Sequence, residues 1–153
     1  MHGLSADVPK TASVLSSSMV FNAETLSNLW VSLSIPEPVP ATAFYYLGTV
    51  DRVNAMNWDA LTADYLIVAD PVQTHLGEDN QRMISYPAHE LLSGTGLGAY
   101  YRPLPEPFEL RDGVTVRIFE RTGEVPPEVL DVLSARLLEA YPDYREAYAR
   151  PGA

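Results

Sequence analysis

The residues most suited to hold a ligand are three consecutive serines, Ser16, Ser17 and Ser18, which follow a strand-like segment and precede a helix-like one. Asn22, a good helix-capping residue, begins the predicted helix. At such a junction backbone N–H groups and the helix dipole can hold an anion, and ligands of α/β sheets collect at this edge. Ser16, Ser17 and Asn22 are therefore predicted to help bind a small anionic ligand. The alternative is that the serines only complete a turn.

A second polar group follows the apolar segment 65–69. Asp70 ends that segment, and His75, Glu78 and Asp79 come soon after it, so together they could form a metal or acid–base cluster. The structural alternative is that Asp-Pro starts a turn and that the two acids favour the amino end of a helix. We assign Asp70 and His75 to the ligand-binding set. We predict no metal and no cofactor, because the histidines lack a ligand spacing such as His-Glu-x-x-His.

Gly94, Gly96 and Gly98 invite comparison with a nucleotide-binding glycine loop. Such loops lie between a strand and the helix that follows it, whereas these glycines follow a helix-like segment and precede a strand-like one. We predict that they form a connector. The sequence around Ser93 also lacks the nucleophile elbow of hydrolases, and no residue of the chain is predicted to be catalytic.

The strongest structural signal is the segment 63–71, Ala-Asp-Tyr-Leu-Ile-Val-Ala-Asp-Pro, in which five successive apolar residues end at an acid and a proline. A short uninterrupted apolar run of this kind is typical of a strand that is covered on both faces. We predict that it is the central strand of the sheet.

The other elements are predicted from apolar periodicity, helix caps and turn residues. In chain order they are a strand over 11–16, a helix over 23–34, a strand over 43–47, a helical turn capped by Asn57, two helical pieces over 78–85 and 88–92 broken at Pro87, an edge strand over 100–104, a hairpin over 108–120 turning at Asp112-Gly113, and a last helix opening at Pro126. This order predicts an α/β fold with a three-layer, mainly parallel, Rossmann-like sheet and an antiparallel C-terminal hairpin at its edge.

Length, net charge and residue composition exclude several classes of function. The 153 residues fit one soluble α/β domain over 8–150, with 1–7 disordered or left from cloning. A net charge of -10 and the absence of any basic run argue against binding to nucleic acid or to anionic lipid. The chain has no cysteine, and no apolar run approaches the roughly 20 residues that span a bilayer. We therefore expect no membrane insertion by this chain and see no signal peptide in it.

Several segments together resemble a known family. They are Thr49-Val50-Asp51-Arg52-Val53, the central segment 63–71, Gln73-Thr74-His75-Leu76, Asp79-Asn80-Gln81-Arg82 and the hairpin segment 108–121. Together, over about residues 8–121, they are similar to the C-terminal soluble domain of polytopic membrane glycosyltransferases that use a lipid-linked sugar donor. Examples are the dolichyl-phosphate-mannose protein mannosyltransferases and the bacterial aminoarabinose transferases.

This resemblance implies a non-catalytic, extracytoplasmic accessory domain that helps to position the acceptor or the lipid-linked donor. The family's catalytic acids lie in the membrane part, so none is carried over here, and the matches at Asp64 and Asp112 concern the fold. The implied partners are the upstream membrane domain of the same chain and a glycan or protein acceptor. The implied location is the extracytoplasmic face of the membrane, or the cytoplasm if the chain is complete as given.

Two other functions remain open from the sequence. The chain could be a free-standing α/β domain that binds a nucleotide or sugar phosphate near Ser16 and Asp70. It could also be a protein-interaction module that uses exposed aromatic residues. The candidates for that surface are Tyr45, Tyr46, Tyr100 and Tyr101.

Overall fold

The computed structural model describes residues 10–18, 21–22, 24–25, 43–45 and 52–151. The strands are β1 (Thr11–Leu15), β2 (Ala43–Tyr45), β3 (Tyr65–Asp70), β4 (Tyr101–Pro103), β5 (Phe108–Glu109) and β6 (Thr115–Arg121). The helices are α1 (Arg82–Ser93), α2 (Pro127–Ala140) and α3 (Arg145–Tyr148). Of the helix predicted over 23–34, only Glu24 and Thr25 lie within the described residues.

The strands form one mixed sheet in the order β2-β1-β3-β6-β4, with β5 also paired to β6. β1 runs parallel to both β2 and β3, while β6 runs antiparallel to β3, β4 and β5. β3 is the central strand, as predicted, and the α/β class is confirmed. Three of these five pairings are antiparallel, so among the described strands the sheet is mixed rather than mainly parallel.

The hairpin lies deeper in the sheet than predicted. β6 is an interior strand, because one side pairs with β3 along six positions and the other side is shared by two short strands. β4 pairs with the end of β6 at Arg121, and β5 pairs with its start at Val116. The predicted edge strand over 100–104 is therefore an edge in the structure, and β5 completes that edge.

Both faces of β3 are buried, as its uninterrupted apolar run predicts. Leu66 and Val68 are fully buried against α1 and α2 in one apolar cluster. Ile67 and Ala69 lie in a second cluster with residues of β1 and β6 on the other face. Burial of each of the larger side chains, those of Leu66, Ile67 and Val68, contributes roughly 1.5–3 kcal/mol. The sheet is therefore stabilised from both sides.

α1 differs from its prediction. The sequence predicts two pieces with a break at Tyr86-Pro87, but one continuous helix runs through this proline. An interior proline costs about 3 kcal/mol, because it removes a hydrogen bond and crowds the preceding turn. α1 tolerates it because the same face buries Met83, Ile84 and Leu91 in the core, and Pro87 itself is buried there.

α2 begins after Pro126, as predicted, and buries Leu133 and Leu137 over the sheet. The short helix α3 then returns to α2: the hydroxyl of Ser134 donates to the carbonyl oxygen of Tyr148 at 2.7 Å. Tyr148 is fully buried, and its own hydroxyl donates to the carbonyl oxygen of Arg52 at 2.8 Å. In the described part of the chain no helix has the length and apolar surface needed to cross a bilayer.

Candidate functional site

The carboxyl ends of β1 and β3 bring Ser17 and His75 together. The Oγ of Ser17 lies 2.6 Å from Nδ1 of His75, and the carbonyl oxygen of Ser17 lies 2.7 Å from the same nitrogen. The backbone closes the same junction, since the N–H of Ser17 donates to the carbonyl oxygen of Gln73 at 2.9 Å. Two of the predicted ligand-binding residues thus meet at the sheet edge on which the prediction places them.

Gln81 is the third member of this group, and the sequence reasoning missed it. Its side chain is fully buried, with Nε2 donating to Oγ of Ser17 at 3.0 Å and Oε1 accepting from the N–H of Leu76 at 3.1 Å. A glutamine just before a helix carries no distinctive sequence signal. Only the fold places it beneath Ser17. We call Ser17, His75 and Gln81 the serine–histidine cluster.

The geometry indicates which ring nitrogen of His75 carries a proton. Nδ1 lies close to two oxygens of Ser17 and 3.4 Å from Nε2 of Gln81, and a lone pair on Nδ1 would point at the lone pairs of the nearer carbonyl oxygen. Nδ1–H therefore donates to both oxygens, so Oγ of Ser17 accepts from His75 and Gln81. In this arrangement Nδ1 cannot take the hydroxyl proton, as a serine nucleophile would require. The cluster is suited to holding a loop or a ligand rather than to activating Ser17.

The backbone around the three serines is already hydrogen-bonded. Ser16 is buried, and its hydroxyl donates to the carbonyl oxygen of Phe21 at 2.9 Å. The N–H of Ser18 donates to that same oxygen at 3.1 Å, and the N–H of Ser17 is bonded to Gln73. An anion would therefore have to accept from the Ser17 hydroxyl and from Nε2–H of the exposed His75 ring in its imidazolium form rather than from these N–H groups.

Asn22 caps the segment that follows, as predicted. Its Oδ1 accepts from the N–H of Thr25 at 2.8 Å, and its Nδ2 donates to the carbonyl oxygen of Ser18 at 3.0 Å. Both ends of the amide are engaged locally. Asn22 thus shapes the loop that carries Ser17, and its predicted contact with a ligand stays a prediction.

Asp70 makes its contact on the β6 side of β3. Its Oδ2 lies 3.3 Å from Nε of Arg117, and both side chains remain partly exposed. The sequence marks Asp70 but not Arg117, because the partner lies 47 positions away and only the antiparallel pairing of β3 with β6 joins them.

The acids after His75 are paired elsewhere. Asp79 accepts from Arg82 at 2.6 Å, and Glu78 lies 3.8 Å from His89. Across the residues that the structure describes, no group of three or more histidine and acidic side chains is placed to hold a metal ion.

Asp64 lies at the opposite end of the sheet, where it joins three strands. Its Oδ2 accepts from the N–H of Thr11 at 2.8 Å and from the Thr11 hydroxyl at 3.0 Å, while Oδ1 accepts from Arg121 at 3.1 Å. Burial alone would raise the pKa of this carboxyl, but the hydrogen bonds from Thr11 and Arg121 outweigh burial and lower the pKa. This structural role agrees with the expectation that Asp64 serves the fold.

The tyrosines predicted to form an exposed surface are only partly described. Tyr101 is buried, so that part of the prediction is wrong: its hydroxyl donates to the carbonyl oxygens of Leu61 (3.0 Å) and Ala63 (2.7 Å). Burial also raises the pKa of Tyr101 well above its usual range. Tyr100 is half-buried against the core, and the side chains of residues 45 and 46 lie outside the described residues.

No family model matches the chain, and neither the curated proteins nor the solved structures give a match to it.

Proposed function

We propose that this chain is a non-catalytic, extracytoplasmic accessory domain of a membrane-embedded glycosyltransferase, where it helps to position the acceptor or the lipid-linked sugar donor. The observation that carries the proposal is the placement of the two segments that best resemble this family. β3 and β6 pair along six positions, from Tyr65 opposite Glu120 to Asp70 opposite Thr115. The resembling segments therefore form one continuous scaffold at the centre of the sheet.

The two acids matched to the family serve that scaffold. Asp64 fastens β1, β3 and β6 at one end of the sheet. Asp112 lies in the turn between β5 and β6 with a φ of 62°, a conformation that aspartate tolerates better than most residues. Roles in folding rather than in chemistry suit an accessory domain, whose partners would be the upstream membrane domain and a glycan or protein acceptor.

The three-layer, Rossmann-like arrangement belongs to the same proposal. Helices α1 and α2 cover one face of the sheet. The support for a layer on the other face is that Val14, Ile67 and Ala69 are also buried there. An apolar face of this kind must be covered to be stable.

Membrane-impermeant maleimide labelling of intact cells tests the proposed location, because the chain contains no cysteine of its own. The full-length gene, freed of any other cysteine, would carry Val132→Cys, which replaces a side chain that is 60% exposed on α2. We expect this variant to be labelled from outside. The matched control is the neighbouring Leu133→Cys, which is buried and should react only after denaturation.

Failure of Val132→Cys to react until the cells are opened would contradict the extracytoplasmic location. The membrane assignment has its own check in the gene: hydrophobic spans should be encoded upstream of Met1. A gene that begins at Met1 and encodes no such spans would refute it.

A second function is favoured by the serine–histidine cluster. A free-standing domain could bind a nucleotide or sugar phosphate at the carboxyl edge of β1 and β3, where ligands of α/β sheets gather. The Ser17 hydroxyl and the exposed His75 ring are the groups that such a ligand would contact. A ligand at 100 times its Kd should stabilise the fold by about 2.7 kcal/mol.

A thermal-shift screen with nucleotides and sugar phosphates tests this second function. His75→Ala should abolish the shift, whereas His89→Ala, which changes another exposed histidine outside the cluster, should keep it. No shift with any compound, or the same shift in both variants, would count against it.

A further inference from the structure

A cleft separate from the serine–histidine cluster opens beside the ion pair of Asp70 and Arg117. Its volume is about 450 Å³, within the range of roughly 300–1,000 Å³ that small-molecule sites occupy. It lies between the end of α1 and the strands β3, β4 and β6, and its lining includes Leu92, Ser93, Pro103 and Phe119. We call it the Asp70–Arg117 cleft.

The ion pair leaves hydrogen-bonding capacity unused. The single bond joins Nε of Arg117 to Oδ2 of Asp70 at 3.3 Å, which is long for such a pair. Within the described residues the two Nη atoms of Arg117 and Oδ1 of Asp70 have no hydrogen-bond partner. Both side chains are accessible, at 41% and 44% exposure. The cleft thus presents donors and acceptors side by side.

The charges in the cleft discriminate between ligand classes. Asp70 next to Arg117, in a chain of net charge -10, opposes a phosphate or carboxylate, which would need the guanidinium without a competing acid. A wholly apolar ligand would strip water from both charges without replacing it. A hydroxyl group both donates and accepts, so neighbouring hydroxyls can bond to the carboxylate and the guanidinium together.

The cleft also has apolar lining residues, which suit the less polar face of a hydroxylated ligand. Of the apolar residues that line it, Leu92 is half-buried, Pro103 is exposed and Phe119 is buried. The C–H face of a pyranose ring can pack on such a surface while its hydroxyls reach the ion pair. We infer that the Asp70–Arg117 cleft binds a neutral, polyhydroxylated ligand of the pyranoside class. The inference rests on the proposed function for its biological setting. The geometry of the Asp70–Arg117 cleft itself does not depend on the membrane assignment.

Titration of the ¹⁵N-labelled chain with the methyl pyranosides of glucose, galactose and mannose, followed by amide NMR shifts, tests this inference. At least one pyranoside should shift amides around the cleft, such as those of Gly94 and Phe119. Inorganic phosphate is the anionic comparison and should leave them unchanged. Arg117→Gln and the isosteric Asp70→Asn should each weaken binding about tenfold or more, as expected for losing a hydrogen bond to a charged group.

The matched control is Arg102→Gln, which removes another cross-strand arginine of the same sheet. Arg102 pairs with Glu120 at 2.6 Å and does not line the cleft, so this variant should bind the pyranoside normally. If the spectrum of Arg117→Gln shows loss of folding, Asp70→Asn carries the test.

The inference is overturned if no pyranoside shifts the cleft amides, if phosphate alone does so, or if both cleft variants bind as well as the unchanged chain. The labelling of Val132→Cys is a separate measurement. The labelling reports the location of the domain, and the NMR titration reports sugar binding. Failure of one proposal can therefore be distinguished from failure of the other.

Discussion

At the scale of single residues, Asp64 shows how one carboxylate can fasten a sheet. It accepts hydrogen bonds from Thr11 at the start of β1 and from Arg121 at the end of β6, while its own backbone leads into β3. Its side chain is only 23% exposed, so the solvent screens these bonds less than it would at the surface. A neutral side chain at this position loses the charge-assisted part of every bond.

We therefore expect Asp64→Asn to lower the free energy of unfolding at neutral pH by roughly 2 kcal/mol, the typical worth of a hydrogen bond to a charged group. Because the pKa of Asp64 is lower in the folded chain than in the unfolded one, this stabilisation is complete above the unfolded value of about 3.9. It is lost as the pH falls through the folded value.

Urea unfolding of both proteins across the acid range measures this pH dependence. The difference between them should be largest near neutrality and should shrink in acid. Asp59→Asn, which changes an exposed carboxylate, is the control and should have little effect. A difference for Asp64→Asn that does not change with pH would show that the charge is not the cause.

At the scale of elements, the glycine-containing connector that follows α1 packs closely against the end of that helix. Gly98 lies in the 3-10 turn Gly96–Tyr100, where a Cβ atom would come within 2.1 Å of the carbonyl oxygen of Glu90. The side chain of Glu90 closes the same contact: Oε2 accepts from the N–H of Leu97 at 2.9 Å, and Oε1 pairs with Arg136 of α2. The turn, α1 and α2 therefore meet at one point.

Gly98→Ala should destabilise the fold by about 1–3 kcal/mol, because the contact is with backbone and can be relieved only by moving the turn away from α1. Thermal and urea unfolding measure the loss. Gly123→Ala is the matched control, since a Cβ atom there meets nothing within 4 Å. Equal stability of the two variants would mean that the close packing of the turn on α1 is unimportant.

At the scale of the whole molecule, stability depends on apolar clusters on both faces of β3. Leu66 lies in the cluster under α1 and α2, whereas the next residue, Ile67, lies in the cluster on the opposite face. If the clusters on both faces of β3 are well packed, truncating either Leu66 or Ile67 should lower the free energy of unfolding substantially.

We expect Leu66→Ala and Ile67→Ala each to cost about 2–5 kcal/mol in urea unfolding. The control is Val132→Ala, which truncates an exposed side chain on α2 and should change stability by no more than about 0.5 kcal/mol. A small effect at Ile67 beside a large effect at Leu66 would mean that the second face is only loosely covered, which would argue against three layers.

Local sequence patterns were sufficient for several parts of this structure. The unbroken apolar run predicts β3 and its burial, Asp112-Gly113 predicts the hairpin turn, and Pro126 marks the start of α2. At the candidate site the same reasoning selects Ser17 and His75, because each follows a strand of the parallel part of the sheet. Each of these features is set by residues that lie close to it in the sequence.

Local patterns along the chain were thus enough to predict the α/β class, the central strand and two residues of the polar edge. Four features could be read only from the folded chain: β6 lies inside the sheet, α1 continues through Pro87, Gln81 supports Ser17, and Arg117 faces Asp70. Each of these four features depends on contacts between segments that are distant in the sequence. Packing and pairing energies at such contacts outweigh local preference, and no spacing in the chain encodes them.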